Sequence, residues 1–532
     1  MDETKTHNSN DALSKFKTKP FKHQLECLNK FGRIGAWANL SEMGTGKTWI
    51  AVNNMADLWA NGECMAVIVF APNGVHSNWT RLELPKHMPD WARYRSAAWS
   101  ASTTKEAKAE IESLYQSKFG SGELRILTMN WEALQGKRGF EAAERFCRSA
   151  TRLMIICDES DAIKNPSAAR TKALMKLKKY STWRRIMSGT PINNSPFDAF
   201  SQFTFLDENI LGTTSFYAFR AEYAELLQDG NPLLDSIRKR TGGRFSPQVV
   251  ARGIGGRPKY KNLSKLAALI EHYSFRVLKK DCLDLPDKIY KTLLFDLTKQ
   301  QLEIYDRAEK ECRLTFEGND TPFNKLVSLT KLAQITSGYY IHPLADTPVR
   351  VDGRNPKLDL LIEQIERIVE REEKVIVWAR YRIEIEDIVM KLRALGISTA
   401  EYHGGTSAQD RVAAIEAFER GERSVFVGNQ QAGGTGITLV AASYVIYFSN
   451  DFSLRNRLQS EDRAHRIGQV KNVTYINIAA KGTVDEAVVR ALSAKKGVAD
   501  AIIDSGRSVS DTTKVKDSNF YDSFIESAFS AL

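Results

Sequence analysis

Residues 41–48 read Ser41-Glu42-Met43-Gly44-Thr45-Gly46-Lys47-Thr48. The general phosphate-loop pattern is G-x-x-x-x-G-K-[ST]. Gly46, Lys47 and Thr48 match it, and Ser41 stands where the first glycine belongs. Gly44 and Gly46 let backbone N–H groups turn toward an anion without a Cβ clash. Met43, Thr45 and the two glycines form the cradle, and Lys47 can reach the β- and γ-phosphates of ATP. The Thr48 hydroxyl can ligate Mg2+, and the helix TWIAVNNMADLWA (48–60) offers its positive N-terminus to phosphate. A glycine-containing turn before a helix is the bland alternative, so the assignment needs an acidic partner further along the chain.

That partner is present. An apolar run, RLMIIC (152–157), leads directly into Asp158-Glu159-Ser160-Asp161. A buried strand ending in Asp-Glu is what a magnesium-dependent ATPase needs. Asp158 would hold the metal, usually through water, and Glu159 would orient and deprotonate the attacking water. A solvated acidic turn is the competing reading, and the upstream loop weighs against it.

Outward from these two segments, two regions alternate strands with helices. In the first the expected strands are 64–70, 124–128, 152–157 and 184–188. In the second they are 374–379, 424–428, 443–448 and 473–478. The stretch 357–371 places Leu358, Leu361, Ile362, Ile365, Ile368 and Val369 on one helical stripe, expected to pack on the second sheet. Between the regions, about 197–356, aromatic helical segments and a Gly- and Arg-rich stretch predict helical insertions and a linker. The fold class is therefore α/β, two parallel-sheet lobes in tandem.

The second region ends in QSEDRAHRIGQ (459–469). Arg463 and Arg466 are three apart, so on a helix they share a face. Planar guanidinium groups suit a γ-phosphate and its transition-state charge. An exposed charged helix is the default reading of an isolated R-x-x-R, and His465, Gly468 and Gln469 make this one more specific.

The chain has 532 residues, room for several domains, with 42% hydrophobic and 26% charged residues. Its longest apolar runs, LMIIC and VIYF, are far too short to cross a bilayer. The N-terminus, MDETKTHNSN, lacks the apolar core of a secretory signal. None of the six cysteines sits in a C-x-x-C pair or has zinc-ligand spacing, so no zinc and a reduced, intracellular setting are expected. Seventy-five basic against 64 acidic residues leave a net charge of +11, which suits a polyanionic partner.

In order along the chain, these motifs resemble those of the Swi/Snf-related ATPases, a branch of the DExx-box helicase superfamily two. The resemblance spans about residues 18–500. KPFKHQLECLNKF (19–31) resembles the opening segment, in which Gln24 would read adenine. VIVFAPNGVHSNW (67–79) and ILTMNWEAL (126–134) resemble strand-plus-loop elements that contact DNA. DESDAIKN (158–165) resembles the acidic box, and SGTPINNSP (188–196) the coupling motif. FRVLKKDCLDLPDKI (275–289) is similar to the bridge out of the first lobe. YHGGTSAQDRVAAIEAF (402–418) resembles a DNA-facing loop and helix. QAGGTGITLVAASYVIYF (431–448) and QSEDRAHRIGQ are close matches to the last two motifs. The string D-R-A-H-R-I-G-Q sets this branch apart from strand-separating relatives.

The resemblance implies two RecA-like lobes, ATP and Mg2+ as cofactors, and translocation on duplex DNA with weak sequence preference. It implies that Arg463 and Arg466 complete the nucleotide site from the second lobe, with Gly434 and Gly436 as further nucleotide contacts. Candidate DNA contacts are Asn78, Trp79, Asn130, Lys164, Thr190, Gly404 and Thr435. Two departures stand out: Ser41 replaces a commonly acidic residue, and Ser160-Asp161 ends a box that usually ends in histidine. The expected boundaries are a tail at 1–17, lobe one at 18–285 with an insertion from about 197, a helical linker at 286–356, lobe two at 357–505 and a tail at 506–532. The last segment, NFYDSFIESAFSAL, would dock a partner protein or pack on its own lobe. Nine basic and no acidic residues between 236 and 270 would meet phosphates or form a solvated loop. Two other functions stay open: a strand-separating helicase and a catalytically weak DNA-binding scaffold.

Overall fold

The computed structural model describes residues 15–101, 104–115, 122–193, 195–240, 248–251, 259–318, 322–341, 347–351, 353–430 and 437–493. The chain forms two compact units, with the change from the first to the second falling between Asp284 and Leu285.

The first unit is built on seven strands: β1 (Ala36–Asn39), β2 (Ala66–Ala71), β3 (Tyr94–Ala98), β4 (Leu124–Asn130), β5 (Leu153–Asp158), β6 (Ser181–Met187) and β7 (Ser274–Phe275). They lie side by side in the order β3-β4-β2-β5-β6-β1-β7, every neighbouring pair parallel. All six residues of β2 are buried, as both faces of a parallel sheet must be when helices cover them. On one face Val67 and Val69 pack with Val52 and Met55 of the Lys47–Ala60 helix. The helix after the phosphate loop is thereby anchored to the sheet by its apolar side.

The second unit has the strands β8 (Lys288–Phe295), β11 (Val375–Trp378), β12 (Thr399–Tyr402), β13 (Val425–Gly428), β14 (Tyr444–Tyr447) and β15 (Val473–Ala480), with a hairpin of β9 (Tyr339–Ile341) and β10 (Pro348–Arg350) after β8. The sheet order is β12-β13-β11-β14-β15-β8, again all parallel. Alternation along β11 splits the core. Val375 and Val377 face Leu361, Ile362 and Ile365 of the Pro356–Val369 helix, and Ile376 and Trp378 lie beside Phe426 and Tyr447 on the other face, in one cluster with Phe418. The apolar stripe expected on that helix does pack on the second sheet.

Both expected sheets are present, and the eight expected strands match β2, β4, β5, β6, β11, β13, β14 and β15 within a few residues. The sequence reading missed the short strands β1 (AWAN), β3, β7 and β12 (TAEY). The alanine and asparagine of β1 and the alanine and glutamate of β12 carry little strand preference; β1 is held between β6 and β7, and β3, β7 and β12 are edge strands paired on one side. The segment expected as a helical linker contains β8, whose eight residues all pair with β15. Among the described residues no helix is long and apolar enough to cross a membrane.

Candidate functional site

Because every strand of the first sheet runs the same way, the loops after β1, β2, β4, β5 and β6 all leave from its carboxyl edge, where ligands of open α/β sheets bind. These are the loops that carry the quoted motifs.

The loop after β1 folds as its glycines demand. Gly44 and Gly46 have φ of 77° and 83°, and Gly46 caps the Lys47–Ala60 helix in the left-handed region. The Lys47 ammonium donates to the carbonyls of Ser41 (2.9 Å) and Glu42 (3.0 Å), so it sits over the loop. The Thr45 hydroxyl donates to the Glu42 carbonyl at 2.8 Å. Ser41 is fully buried, and its backbone N–H donates to Asn39 Oδ1.

Two neighbours hold this loop. The first is the Lys22–Phe31 helix. Gln24 accepts from the Phe21 N–H at 2.8 Å and turns its amide toward the carbonyls of Thr45 and Gly46 (3.5 and 3.4 Å). His23 Nε2 lies 2.8 Å from the Thr45 carbonyl. Gln24 is 2% exposed, so the residue expected to read adenine is packed against the loop itself. A cavity of about 670 Å³, lined by Lys22, His23, Glu26, Val277, Lys280 and Cys282 among others, opens beside the same helical turn. The second neighbour is the 275–279 stretch. It bonds Leu40 N–H to the Phe275 carbonyl, Glu42 N–H to the Val277 carbonyl and Lys279 N–H to Glu42 Oε2. The role of His23, and the bonding of the 275–279 stretch to the phosphate loop, escaped the sequence reading, since no local pattern marks which distant carbonyl a side chain will meet.

Asp158 ends β5. Its Oδ2 accepts from Trp79 Nε1 at 3.0 Å, and its backbone carbonyl accepts from Trp131 Nε1 at 3.0 Å. Burial pushes its carboxyl up to about 7. The Glu159 charge adds to the rise, while the Trp79 N–H and the Lys47 charge draw it back. A cation would remove that penalty. The hard oxygen donors of Asp158 and Thr48 suit Mg2+ in kind. Glu159 adopts φ 53°, a left-handed conformation uncommon for glutamate and of the sort concentrated at active sites.

The candidate DNA contacts divide. Asn78 and Lys164 are half-buried, Asn130 is bonded to Glu132 (3.0 Å), and Gly404 is exposed after β12. Thr190 is 7% exposed in the loop after β6. Trp79 requires correction: at 1% exposure it lies in the core of the unit, its only polar side-chain atom given to Asp158, and it has no surface to offer DNA. Thr435, Gly434 and Gly436 lie outside the described residues, as do Arg244, Arg252, Arg257 and the C-terminal segment. Of the basic stretch, Arg238 pairs with Asp229 and Asp235, and Lys265 with Glu222.

In the second unit the arginine segment is not helical, which corrects a second expectation. The Leu454–Glu461 helix ends at its cap, Asp462, and Arg463 and Arg466 come after it in successive turns. The turns lay the segment along residues 437–442. Arg463 donates to the Ile437 carbonyl (2.9 Å), Arg466 to the Thr438 hydroxyl (3.0 Å), and Gln469 to the carbonyls of Val440 and Ala442 (3.0 and 2.8 Å). The two guanidiniums are thus brought to adjacent residues without a shared helix face. Glu461, at the end of that helix, is 3% exposed. Burial would raise its carboxyl, but Lys288, Arg457 and Tyr290 outweigh that and hold it at about 2. His465 Nε2 lies 2.7 Å from the Pro286 carbonyl.

Comparison with known proteins identifies the family of the chain. Residues 40–338 match the family described as the SNF2-related domain, and residues 356–468 match the helicase conserved C-terminal domain. Over 515 residues the chain is 25% identical to a putative ATP-dependent helicase/translocase, YwqA, of Bacillus subtilis, covering 93% of this chain and 50% of that protein. Over 527 residues it is 25% identical to a DNA repair and recombination protein RAD54-like of Drosophila yakuba, covering 91% of this chain and 62% of that protein. It is also similar, at 23% identity and a TM-score of 0.39, to the Sulfolobus solfataricus SWI2/SNF2 ATPase core in complex with dsDNA, covering 92% of this chain and 94% of that one. The chain therefore spans less than two thirds of the length of either curated relative.

Proposed function

The chain belongs to the SNF2-related family, and from that premise we propose that it is a DNA-stimulated ATPase that translocates on duplex DNA and remodels DNA or protein–DNA complexes. One observation carries the reading. A glycine-turned phosphate loop with Lys47 at its helix N-terminus shares a sheet edge with Asp158, half-buried at the end of β5.

Lys47 and the loop N–H groups bind the β- and γ-phosphates. Thr48 and Asp158 would hold Mg2+, which when bound neutralises charge on the phosphates. Glu159 orients the attacking water and takes its proton. Arg463 and Arg466 stabilise the charge that develops on the transferred phosphoryl, a contribution of about 10³–10⁵ in rate for such arginines. DNA as the partner is supported by the net charge of +11 and by the DNA repair and recombination role in a relative's name. Contacts to phosphate rather than to bases would give weak sequence preference.

The test is ATP turnover with and without duplex DNA. Lys47→Ala should abolish stimulated hydrolysis, and full turnover by that variant would sink the assignment. Arg466→Ala should keep nucleotide binding and lose rate. A strand-displacement assay separates translocation from unwinding.

A further inference from the structure

Two tryptophans converge on Asp158 and do different things there. Trp131, stacked on Phe70 at 5.6 Å, donates to the backbone carbonyl. Trp79 donates to the carboxylate itself, at 3.0 Å. A buried indole N–H needs an acceptor, and a main-chain carbonyl usually serves, as Glu63 O does for Trp183 at 2.8 Å. Trp79 instead takes a side-chain carboxyl oxygen.

The backbone around Trp79 is shaped for this. The Val75–Asn78 turn passes into a π-helical turn, Trp79–Glu83, in which the Leu84 N–H bonds back to the Trp79 carbonyl. Such turns are rare and are frequent at functional sites. Here the ring lies in a core that also holds Val67, Leu84 and Ile156, with its N–H at the end of β5.

We propose that Trp79 is a positioning residue for the metal-holding carboxylate. Its N–H pins Oδ2 of Asp158 and so fixes the orientation in which the group is presented to the divalent cation that accompanies ATP. Partners that orient a metal ligand in this way typically change metal affinity by about 10–100-fold when removed. The proposal rests on the reading of Asp158 as the metal-holding residue.

The experiment is a Mn2+ titration, read by electron paramagnetic resonance, of the full chain with one equivalent of a non-hydrolysable ATP analogue. No turnover is involved. Asp158→Asn should weaken Mn2+ binding, and Trp79→Phe, which keeps the ring and loses the N–H, should weaken it about 10-fold. In the Asp158→Asn background Trp79→Phe should add nothing. Trp183→Phe, losing an N–H bonded to a main-chain carbonyl, should bind Mn2+ like the unaltered protein. Trp79→Gln keeps a donor of similar reach and should retain affinity that Trp79→Phe loses. Unaltered binding by Trp79→Phe overturns the proposal. So does an equal loss from Trp79→Phe in both backgrounds, because the effect then comes through the fold. Unaltered binding by Asp158→Asn overturns the metal-site reading itself, and this inference with it.

Discussion

The side-chain amide of Asn193 donates to Oδ2 of Asp161 at 3.1 Å, with both residues buried. A second link runs beside it. The Ser160 hydroxyl donates to Gln202 Oε1 at 2.6 Å, and the Gln202 amide donates to the Pro191 carbonyl at 2.7 Å. Ser160 and Asp161 end the acidic box. They join the loop after β5 to the loop after β6 in this chain.

That connection is testable at Asn193. Asn193→Ala leaves a buried carboxylate short of a donor and should cost about 1–3 kcal/mol of stability, read by urea unfolding. If the link also carries information between the loops, the ratio of DNA-stimulated to basal ATP turnover should fall about 2- to 30-fold, the range of a 0.5–2 kcal/mol coupling. A stability loss with an unchanged ratio would make the link purely structural.

Gly46→Ala should be damaging for two separable reasons. The position has φ 83°, and an added Cβ would lie 2.2 Å from Gln24 Nε2. The backbone cost is about 1–2 kcal/mol, and the displaced Gln24 should loosen the loop and weaken nucleotide binding further. Gly404→Ala meets nothing within 4 Å and should stay within about 0.5 kcal/mol of the unaltered protein. Thermal melts with and without ATP compare the two.

Glu461 gives a pH-dependent prediction. Its folded pKa of about 2 lies below the ordinary 4.5. The stability it contributes is therefore present above about 4.5 and is lost as pH falls through that value toward 2. Glu461→Gln should cost most near neutral pH, and the difference from the unaltered protein should shrink as the pH drops below about 4.5. Denaturant unfolding at several pH values measures it. A gap that widens on acidification would contradict the Lys288–Glu461–Arg457 arrangement as the source.

Much of the architecture was legible because buried parallel strands are contiguous apolar runs. AVIVFA and LMIIC announce β2 and β5 whatever surrounds them. The phosphate loop was legible for a related reason, since left-handed turns at residues 44 and 46 call for glycine at those positions. AWAN and TAEY were not legible as strands. Neither was β8, in which only Phe295 is buried and pairing with β15 supplies the order.

The site divides along the same line. Residue type and spacing were enough to single out Lys47, Thr48, Asp158, Glu159, Arg463 and Arg466 as a chemical set. Spacing also suggested a helix for the two arginines, and family resemblance a DNA-facing role for Trp79. In both cases long-range bonding decided otherwise. The chain turns after Glu461 so that Arg463 and Arg466 meet Ile437 and Thr438, and Trp79 turns inward to Asp158 across 79 residues of sequence. The sequence by itself determined what needs only neighbouring residues: strand runs, glycine turns and the identity of charged groups. Tertiary structure alone decided which distant acceptor a buried donor meets, because most buried N–H groups are satisfied by whatever packing brings beside them, and local sequence does not encode that partner.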